Sequence, residues 1–266
     1  MKAHGDGSER TGRVFLWEDE DDLRAWARRR EPQSAHELQT RALPTRPPQV
    51  AGYAFSCYSE PAAEVGGDHF NFCSVGGDAL GVLIADVSGK GMNAALIVTM
   101  LRATFRTQSW GNADVCDVLA RANNFLSHVL PVGTFVTCAY GLLEPGKRRF
   151  SFARAGHEPL LRVRADGIES LAPGGFPLGI APENEFRAAL EIERLDLQSG
   201  DRLLLFTDGL TEAMNARGDE FGAARIRETL RASSGDDIAA LREAVREFAD
   251  GAPLHDDLTM VSLRVS

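Results

Sequence analysis

The sequence predicts an α+β fold in which antiparallel β-sheets are covered by helices. Short runs rich in β-branched and aromatic residues recur from residue 53 to the end of the chain, and several are separated by glycine or Asp-Gly turns. Helical periodicity occurs in two pairs of segments, one early and one late, rather than after each strand. Tight turns between strands, with helices inserted in pairs, favour antiparallel sheets over a parallel βαβ arrangement.

The composition is that of a folded protein with a large core. A chain of 266 residues with 44% hydrophobic content is long enough to bury one. Because a domain usually holds about 100–200 residues, we expect one large domain and an appendage. We place the boundary at a proline-rich segment, so that residues 1–48 form a tail, regulatory helices and a linker, and residues 49–266 form the large domain.

Charge and cysteine usage exclude several classes of protein. The formal net charge is −9, from 38 acidic and 29 basic residues, which argues against nucleic acid as the main partner. The four cysteines show no C-x-x-C spacing, so we expect reduced thiols and no zinc site. The N-terminus is polar and the sequence has no apolar stretch of membrane-helix length, so we expect a cytoplasmic protein that does not bind membranes.

The first 48 residues are predicted to hold two helices. Residues 17–30 carry acidic side chains near their start and arginines toward their end, an order that complements the helix dipole. A capping box predicts a second short helix over residues 36–43, and prolines predict a stiff extended linker over residues 44–48. The charges of the first helix are most simply those of a solvated surface with internal ion pairs. Its apolar residues Trp17 and Trp26 need a partner, either the large domain or a second copy of the helix.

The large domain is predicted to contain nine strands and four helices. The early helices show apolar residues at helical spacing, for example Val98, Leu101 and Phe105. The strands are predicted at residues 53–59, 69–75, 80–87, 134–143, 149–155, 160–164, 189–195, 202–206 and 258–265. The helices are predicted at residues 93–107, 115–130, 223–231 and 238–248.

Four aspartates stand at the edges of apolar runs or beside glycine. They are Asp68, Asp86, Asp208 and Asp256. Carboxylates at the ends of buried strands can converge on one point without disturbing the core, and ligands that are all oxygen suit hard cations such as Mg²⁺ or Mn²⁺. The sequence therefore predicts a carboxylate cluster for divalent metal, which is a site for phosphate chemistry.

The segment after the third strand carries the strongest single motif. An apolar strand delivers Asp86 into the glycine-rich turn Ser88-Gly89-Lys90-Gly91, which opens a helix. Alone, this motif could be an ordinary strand-turn-helix corner, but Asp208-Gly209 repeats the pattern at a second strand end. A nucleotide-binding Walker A loop is excluded because it requires glycine where Ile84 stands, and Ser or Thr after the lysine.

Six motifs occur along the chain in a fixed order. They are Gly66-Gly67-Asp68, the segment 85–95, Ala155-Gly156-His157-Glu158-Pro159, Pro177-Leu178-Gly179, Thr207-Asp208-Gly209-Leu210-Thr211-Glu212-Ala213 and Asp256-Asp257-Leu258-Thr259. Together they resemble the motif set of the SpoIIE/RsbU-type serine phosphatases, a bacterial branch of the PP2C-like, or PPM, metal-dependent phosphatases. The resemblance runs from about residue 37 to the C-terminus. Each motif alone is weak, whereas their shared order is specific.

The resemblance implies a PP2C-like α-β-β-α sandwich with two Mn²⁺ or Mg²⁺ ions between the loop ends of two antiparallel sheets. It implies that these ions are bound by Asp68, Asp86, Asp208 and Asp256, with the backbone carbonyl of Val87 contributing. Two cations about 4 Å apart would acidify a water that attacks phosphorus, so that no side-chain nucleophile is needed.

The resemblance also implies partners. The expected substrate is phosphoserine on an anti-anti-sigma-type protein in a partner-switching pathway. An upstream sensor or activator, and a homodimer formed through the N-terminal helices, are expected on the same ground. A different class of function stays open, namely a catalytically weak pseudophosphatase that binds a phosphoprotein. Metal-dependent release of phosphate distinguishes the two.

Four further residues have two interpretations each, and a fifth, Glu212, has one. Asn71 stands where family members often have a second aspartate; if that acid only orients water or a neighbouring ligand, the change costs modest activity, and if it holds a metal, affinity falls. We favour the first. His157 could be a general acid but more often fixes a loop, and Lys90 could contact phosphate but is more often solvated. Asp257 could replace Asp256, although only one of two adjacent side chains should reach the cluster. Glu212 is expected outside the metal ligands.

Overall fold

The computed structural model describes residues 47–266. The predicted tail, the two N-terminal helices and most of the proline-rich linker lie outside the described residues. The strands are β1 Tyr53–Glu60, β2 Asp68–Gly76, β3 Ala79–Val87, β4 Val136–Glu144, β5 Arg149–Ala155, β6 Leu160–Arg164, β7 Gly167–Leu171, β8 Ile192–Asp196, β9 Arg202–Phe206 and β10 Leu258–Val265. The helices are α1 Met92–Ser109, α2 Val115–Val129, α3 Glu183–Ala189, α4 Asp208–Thr211, α5 Gly222–Ala232 and α6 Asp237–Ala249, with a 3₁₀ turn at Pro145–Lys147.

The strands form two five-stranded sheets. The first sheet has the order β1-β10-β9-β6-β7, and the second has the order β2-β3-β4-β5-β8. Every pairing within the two sheets is antiparallel. The prediction of antiparallel sheets is therefore confirmed.

The two sheets pack face to face and each carries a helical layer on its outer face. Strand β3 shows how the layers are built, because Val82 and Ile84 belong to the cluster between the sheets while Leu83 and Ala85 belong to the cluster beneath α1 and α2. This alternation is the two-residue period of a strand. A third cluster packs α5 and α6 against the first sheet. The order of layers is α-β-β-α, as the family resemblance implied.

The early helices are positioned by local signals and by their apolar faces. Asp114 caps α2 by accepting a hydrogen bond from the backbone N–H of Asp117 at 3.0 Å. Helix α1 begins directly after Gly91, whose φ of 78° favours glycine. Leu101 and Phe105 of α1 are fully buried against the second sheet. The glycine-rich turn thus delivers the chain from β3 into a helix that covers the same sheet.

The nine predicted strands and four predicted helices are all present, with differences at their edges. The strand predicted at 134–143 starts at Val136, because Thr134 closes a turn on Pro131 and the Phe135 N–H is bound by the side chain of Ser88. The strand predicted at 189–195 starts at Ile192, because residues up to 189 form α3. Strand β7 was not predicted; it is an edge strand whose side chains are half-buried or exposed, so its sequence has no apolar face.

The core offers a direct test of close packing in the second sheet. Gly141 of β4 lies under the ring of Phe150, and a Cβ built at Gly141 would lie 2.1 Å from the ring's Cζ atom. Phe150 is fully buried and has no room to move away. We therefore expect Gly141→Ala to lower the free energy of unfolding by about 1–3 kcal/mol, measured by urea denaturation. Gly235→Ala is the control, because a Cβ there meets nothing within 4 Å. Equal stability of both variants would contradict the close packing.

Candidate active site

The four aspartates lie at one end of the sandwich. Asp68 begins β2 and stands directly opposite Asp86 in the register of β2 and β3. Asp208 follows β9 and Asp256 precedes β10, and these two strands are neighbours in the first sheet. The two sheets are joined at this end by a hydrogen bond of 2.7 Å from the hydroxyl of Thr207 to Oδ2 of Asp68. The carboxylates therefore come from both sheets and share one edge.

The negative charges of neighbouring aspartates contribute to raised pKa values at this edge. Burial, followed by the charges of Asp208 and Asp256, raises the pKa of Asp86 to about 7. Burial and then the charge of Asp256 raise the pKa of Asp208. Burial and the charge of Asp86 raise the pKa of Asp68 well above its usual value, although hydrogen bonds from threonine oppose the change. The edge is a concentration of negative charge that a cation would relieve.

Asp257 and its neighbour Asp256 have different surroundings. One oxygen of Asp257 accepts the N–H of Ala62 at 2.8 Å, and the other accepts the N–H of Gly67 at 2.6 Å. The carboxylate of Asp256 forms an ion pair of 3.0 Å with the ammonium of Lys90. The oxygens of Asp257 are thus engaged with backbone, which leaves Asp256 as the member of the pair available to a ligand. The charge of Asp257 still contributes to the raised pKa values of Asp68 and Asp86.

Three glycines allow the backbone segments of the site to approach closely. A Cβ at Gly66 would lie 2.3 Å from Oδ2 of Asp257, and a Cβ at Gly209 would lie 1.9 Å from the carbonyl oxygen of Asp257. Neither position has space for a side chain. Gly67 is similar, because a Cβ there would lie 2.7 Å from the carbonyl oxygen of Val87. The glycines of the motifs are therefore required by close approach of backbone to the buried carboxylate and to the end of β3.

The donor set fits hard divalent cations. All of the candidate ligands are oxygen atoms, and the structure holds them where burial has already raised carboxylate pKa values. Among residues 47–266, no three acidic, histidine or cysteine side chains are gathered closely enough to form a complete site for one ion. Mg²⁺ commonly binds through one or two carboxylates and keeps several waters, so an open, shared arrangement suits it. The residues that could hold such ions are Asp68, Asp86, Asp208, Asp256 and the carbonyl of Val87.

A profile of the family described as Stage II sporulation protein E (SpoIIE) matches residues 76–266. The chain belongs to the SpoIIE family. The predicted resemblance to SpoIIE/RsbU-type, PP2C-like phosphatases is therefore confirmed.

Individual proteins that are similar to this SpoIIE-family chain are consistent with the family assignment. The phosphoserine phosphatase RsbU of Bacillus subtilis is 27% identical, over 86% of this chain and 68% of that protein. Protein IcfG of Synechocystis is 26% identical, over 88% of this chain but only 41% of that protein. The chain therefore spans about two fifths of the length of IcfG.

Solved structures show the same fold. A Mycobacterium tuberculosis structure that contains RsbU and RsbW domains has a TM-score of 0.70 and 27% identity, covering 82% of this chain and 61% of that one. The SiaA-PP2C domain of Pseudomonas aeruginosa has a TM-score of 0.80 and 20% identity, covering 93% of this chain and 100% of that one. The second likeness concerns the fold alone.

The other polar residues of this SpoIIE domain have mainly structural contacts. His157 is buried, and its Nδ1 lies 2.9 Å from the hydroxyl of Thr137. Burial, with a smaller contribution from Arg154, lowers the pKa of His157 to about 3, which favours the loop-fixing interpretation. Lys90 also donates to the carbonyl of His255 at 2.9 Å, so it holds the turn that carries Asp256.

Two residues near the cluster, Glu158 and Thr207, were not predicted as part of the site. Glu158 is half-buried, and burial followed by the charge of Asp208 raises its pKa. Thr207 donates to Asp68, and its signal was a polar residue at the end of the apolar run Leu203-Leu204-Leu205-Phe206. Glu212 is exposed, and burial and then the charge of Asp208 raise its pKa modestly. Further acidic and hydroxyl side chains therefore surround the predicted metal ligands. Glu158 and Glu212 lie near Asp208, and Thr207 binds Asp68.

Asn71 lies on the other side of the second sheet from the carboxylates. Asp68, Phe70 and Phe72 alternate with it along β2, and both phenylalanines contribute to the cluster between the sheets. The side chain of Asn71 accordingly faces the layer of α1 and α2. Its oxygen accepts the N–H of Phe72 at 2.9 Å. The amide is therefore far from direct contact with a metal held between the sheets.

The raised pKa values predict how the metal-free domain responds to pH. The pKa of Asp86 rises from its ordinary 3.8 to about 7, so between these values the folded state holds a proton that the unfolded state releases. That stabilisation is present at low pH and is lost as pH rises through about 7. We expect the urea midpoint in chelator to fall between about pH 5 and pH 8.

Asp86→Asn should flatten this pH dependence, because the variant has no proton to lose at that position. Asp166→Asn, on an exposed turn between β6 and β7, is the matched control and should leave the slope unchanged. A midpoint that rises across the same range in chelator would contradict the proposed crowding of carboxylates.

Proposed function

We propose that this chain is a Mg²⁺- or Mn²⁺-dependent phosphatase that hydrolyses phosphoserine or phosphothreonine on a protein. The observation that carries the proposal is the coupled set of Asp86, Asp208 and Asp256 at the shared edge of the two sheets. Membership of the SpoIIE family supports it, as do relatives named phosphoserine phosphatases.

Each residue has a defined task in this proposal. Asp86, Asp208 and Asp256 supply the negative charge that attracts cations, and Asp68 adds an oxygen whose position is held by Thr207. Bound divalent cations would supply Lewis acidity toward a phosphoryl group and would acidify a water molecule. The chain itself offers no Cys-x5-Arg phosphatase loop in its sequence. Its contribution is to concentrate and orient the carboxylates rather than to form a covalent phosphoenzyme.

The rim of the site favours a protein as substrate. Phe135 is bound through its N–H to the side chain of Ser88, two residues from Asp86, and is 36% exposed. Phe176 and Ile180 are 44% and 54% exposed on the segment that pairs with β4 through Leu178. Large exposed apolar side chains beside a charged site suit contact with another protein's surface better than with a small, soluble ester.

We infer that the substrate is a phosphorylated anti-anti-sigma-type protein, on the ground of family resemblance. The relatives RsbU and RsbP are named phosphoserine phosphatases, which supports phosphoserine as the target. An upstream activator and a homodimer belong to the same proposal. They concern residues 1–46, which lie outside the described part of the chain. Within residues 47–266, no helix is both long and apolar enough to cross a bilayer.

A pseudophosphatase is the second candidate. Its support is the ion pair between Lys90 and Asp256, which places a protein cation against one proposed ligand. Release of inorganic phosphate from a phosphoprotein with Mn²⁺, and its loss in chelator, would reject this candidate.

The ligand assignment predicts the effect of two substitutions. We expect Asp86→Asn and Asp208→Asn each to lower phosphate release by at least about 100-fold and to weaken Mn²⁺ binding, because each removes a charged oxygen donor. Phosphate release and calorimetric Mn²⁺ titration are the measurements. Glu169→Gln, on the exposed part of β7, is the control and should match the unmodified chain. Unchanged metal affinity and turnover in both aspartate variants would reject the assignment.

The position of Asn71 gives a separate prediction. Because its side chain faces the helical layer, Asn71→Asp should leave the Mn²⁺ concentration for half-maximal activity unchanged within about twofold. A large decrease in that concentration would show that residue 71 reaches the metal after all. Unfolding curves of the same variant distinguish a loss of fold from an effect on metal.

A further inference from the structure

A second charged site lies at the opposite end of the first sheet. A cavity of about 550 Å³ is lined there by four arginines, with Asp166 as the one acidic residue among its described lining residues. The arginines are Arg164, Arg202, Arg231 and Arg264. We call this the arginine pocket.

The arginine pocket is separate from the carboxylate edge. Strand β9 begins at Arg202, beside the pocket, and is followed two residues after its end by Asp208. Strand β10 begins two residues after Asp256 and carries Arg264 one residue before its end. The two sites are thus at opposite ends of the same pair of central strands, roughly 15–25 Å apart at about 3.3 Å per residue.

The protein holds two of these arginines in place through carboxylate partners. Arg202 donates to the carbonyls of Leu230 and Ser233 and pairs with Asp237. Arg164 pairs with Asp201 at 2.8 Å. These contacts fix the guanidinium groups without filling the cavity.

Two of the arginines have no carboxylate partner in the described part of the chain. Among residues 47–266, the hydrogen bonds that Arg264 donates go to the backbone carbonyls of Ser234 and Gly235. Arg231 is exposed and has no hydrogen bond or ion pair to another described residue. Guanidinium groups that converge without a carboxylate are suited to binding an anionic group.

The sequence contains a matching acidic segment. Residues 18–22 read Glu-Asp-Glu-Asp-Asp, and no other run of five acidic residues occurs in the chain. We call this the acidic run. A block of like charge is unfavourable unless it is solvated or paired, and carboxylates pair well with arginine.

The chain enters the sandwich beside the arginine pocket. Tyr53 pairs with Val265, the residue after Arg264, and the N–H of Ser266 donates to the carbonyl of Gly52 at 2.8 Å. The 24 residues between the acidic run and residue 47 span about 36 Å as a helix and about 80 Å when extended. Either length allows the acidic run to reach the pocket of its own chain.

We propose that the acidic run, residues 18–22, binds in the arginine pocket of the same chain. The proposal does not depend on the proposed phosphatase activity. A tethered segment acts at an effective concentration in the millimolar range, so a weak intrinsic affinity is enough to keep the pocket occupied. Salt should weaken the contact, because exposed charges are screened over about 8 Å at physiological ionic strength.

The test uses the full chain and follows hydrogen exchange of residues 17–30 by mass spectrometry. We expect Arg231→Glu to accelerate exchange there at least about threefold, because it reverses a charge that faces the acidic run. Arg106→Glu is the matched control; it changes an exposed arginine of α1, on the other helical layer, and should have no effect. Arg231→Gln should give an intermediate increase. Unfolding curves establish that each variant keeps the sandwich.

A charge swap provides the specific readout. Asp21→Lys alone should accelerate exchange as Arg231→Glu does, and the double variant should recover at least half of the lost protection. About 0.5 M NaCl should reproduce the effect of the single variants. Equal exchange in the unmodified chain, in Arg231→Glu and in high salt would overturn the proposal.

Light scattering on the same samples completes the test. Protection that persists in a monomer supports binding within one chain. Protection that disappears when a dimer dissociates on dilution would place the acidic run in a neighbouring chain's pocket and would overturn the proposal as stated.

Discussion

The site end of the sandwich depends on the buried carboxylate of Asp257. A buried charge is costly unless it is fully hydrogen-bonded, and here the oxygens accept backbone N–H groups of Ala62 and Gly67. These bonds attach the connection between β1 and β2 to the residues that precede β10. The connection in turn places Asp68 opposite Asp86. Removing the charge of Asp257 would therefore free a whole loop, and not only one side chain.

At the edge of the sandwich that carries the aspartates, grouping carboxylates to attract a cation lowers the stability of the fold. Asp68, Asp86 and Asp208 all have raised pKa values, so the fold brings together groups that repel one another when ionised. The rest of the sandwich offsets that repulsion with three apolar clusters, one between the sheets and one beneath each helical layer. Strained or crowded charges that persist within a stable frame are typical of sites that bind something. Lys90, which pairs with Asp256, offsets part of the charge from within the chain.

Much of this arrangement could be predicted from the sequence. Aspartates at the ends of apolar runs marked strand ends, and glycines beside them marked close backbone contacts, both of which are local features. The task of Asp257 could not be predicted, because adjacent acids are equivalent until the loop that binds one of them is known. Strand β7 lacks an apolar face, so it has no period to detect. The position of Asn71 follows from strand alternation, but only once β2 is known to start at Asp68.

The two ends of the hairpin formed by β2 and β3 differ in how strictly their residue pairing is constrained. Near the site, Asp68 and Asp86 are in direct register, and a slip of one residue would turn a carboxylate toward the helices. At the other end, the register shifts between Ser74 and Gly76, and the turn uses Gly76 and Gly77 with positive φ. An irregular, solvent-facing turn absorbs changes in chain length without disturbing the paired strands. Residues 76–78 are accordingly the place in this hairpin where a peptide tag or a fluorescent label could be inserted while the opposed aspartates keep their alignment.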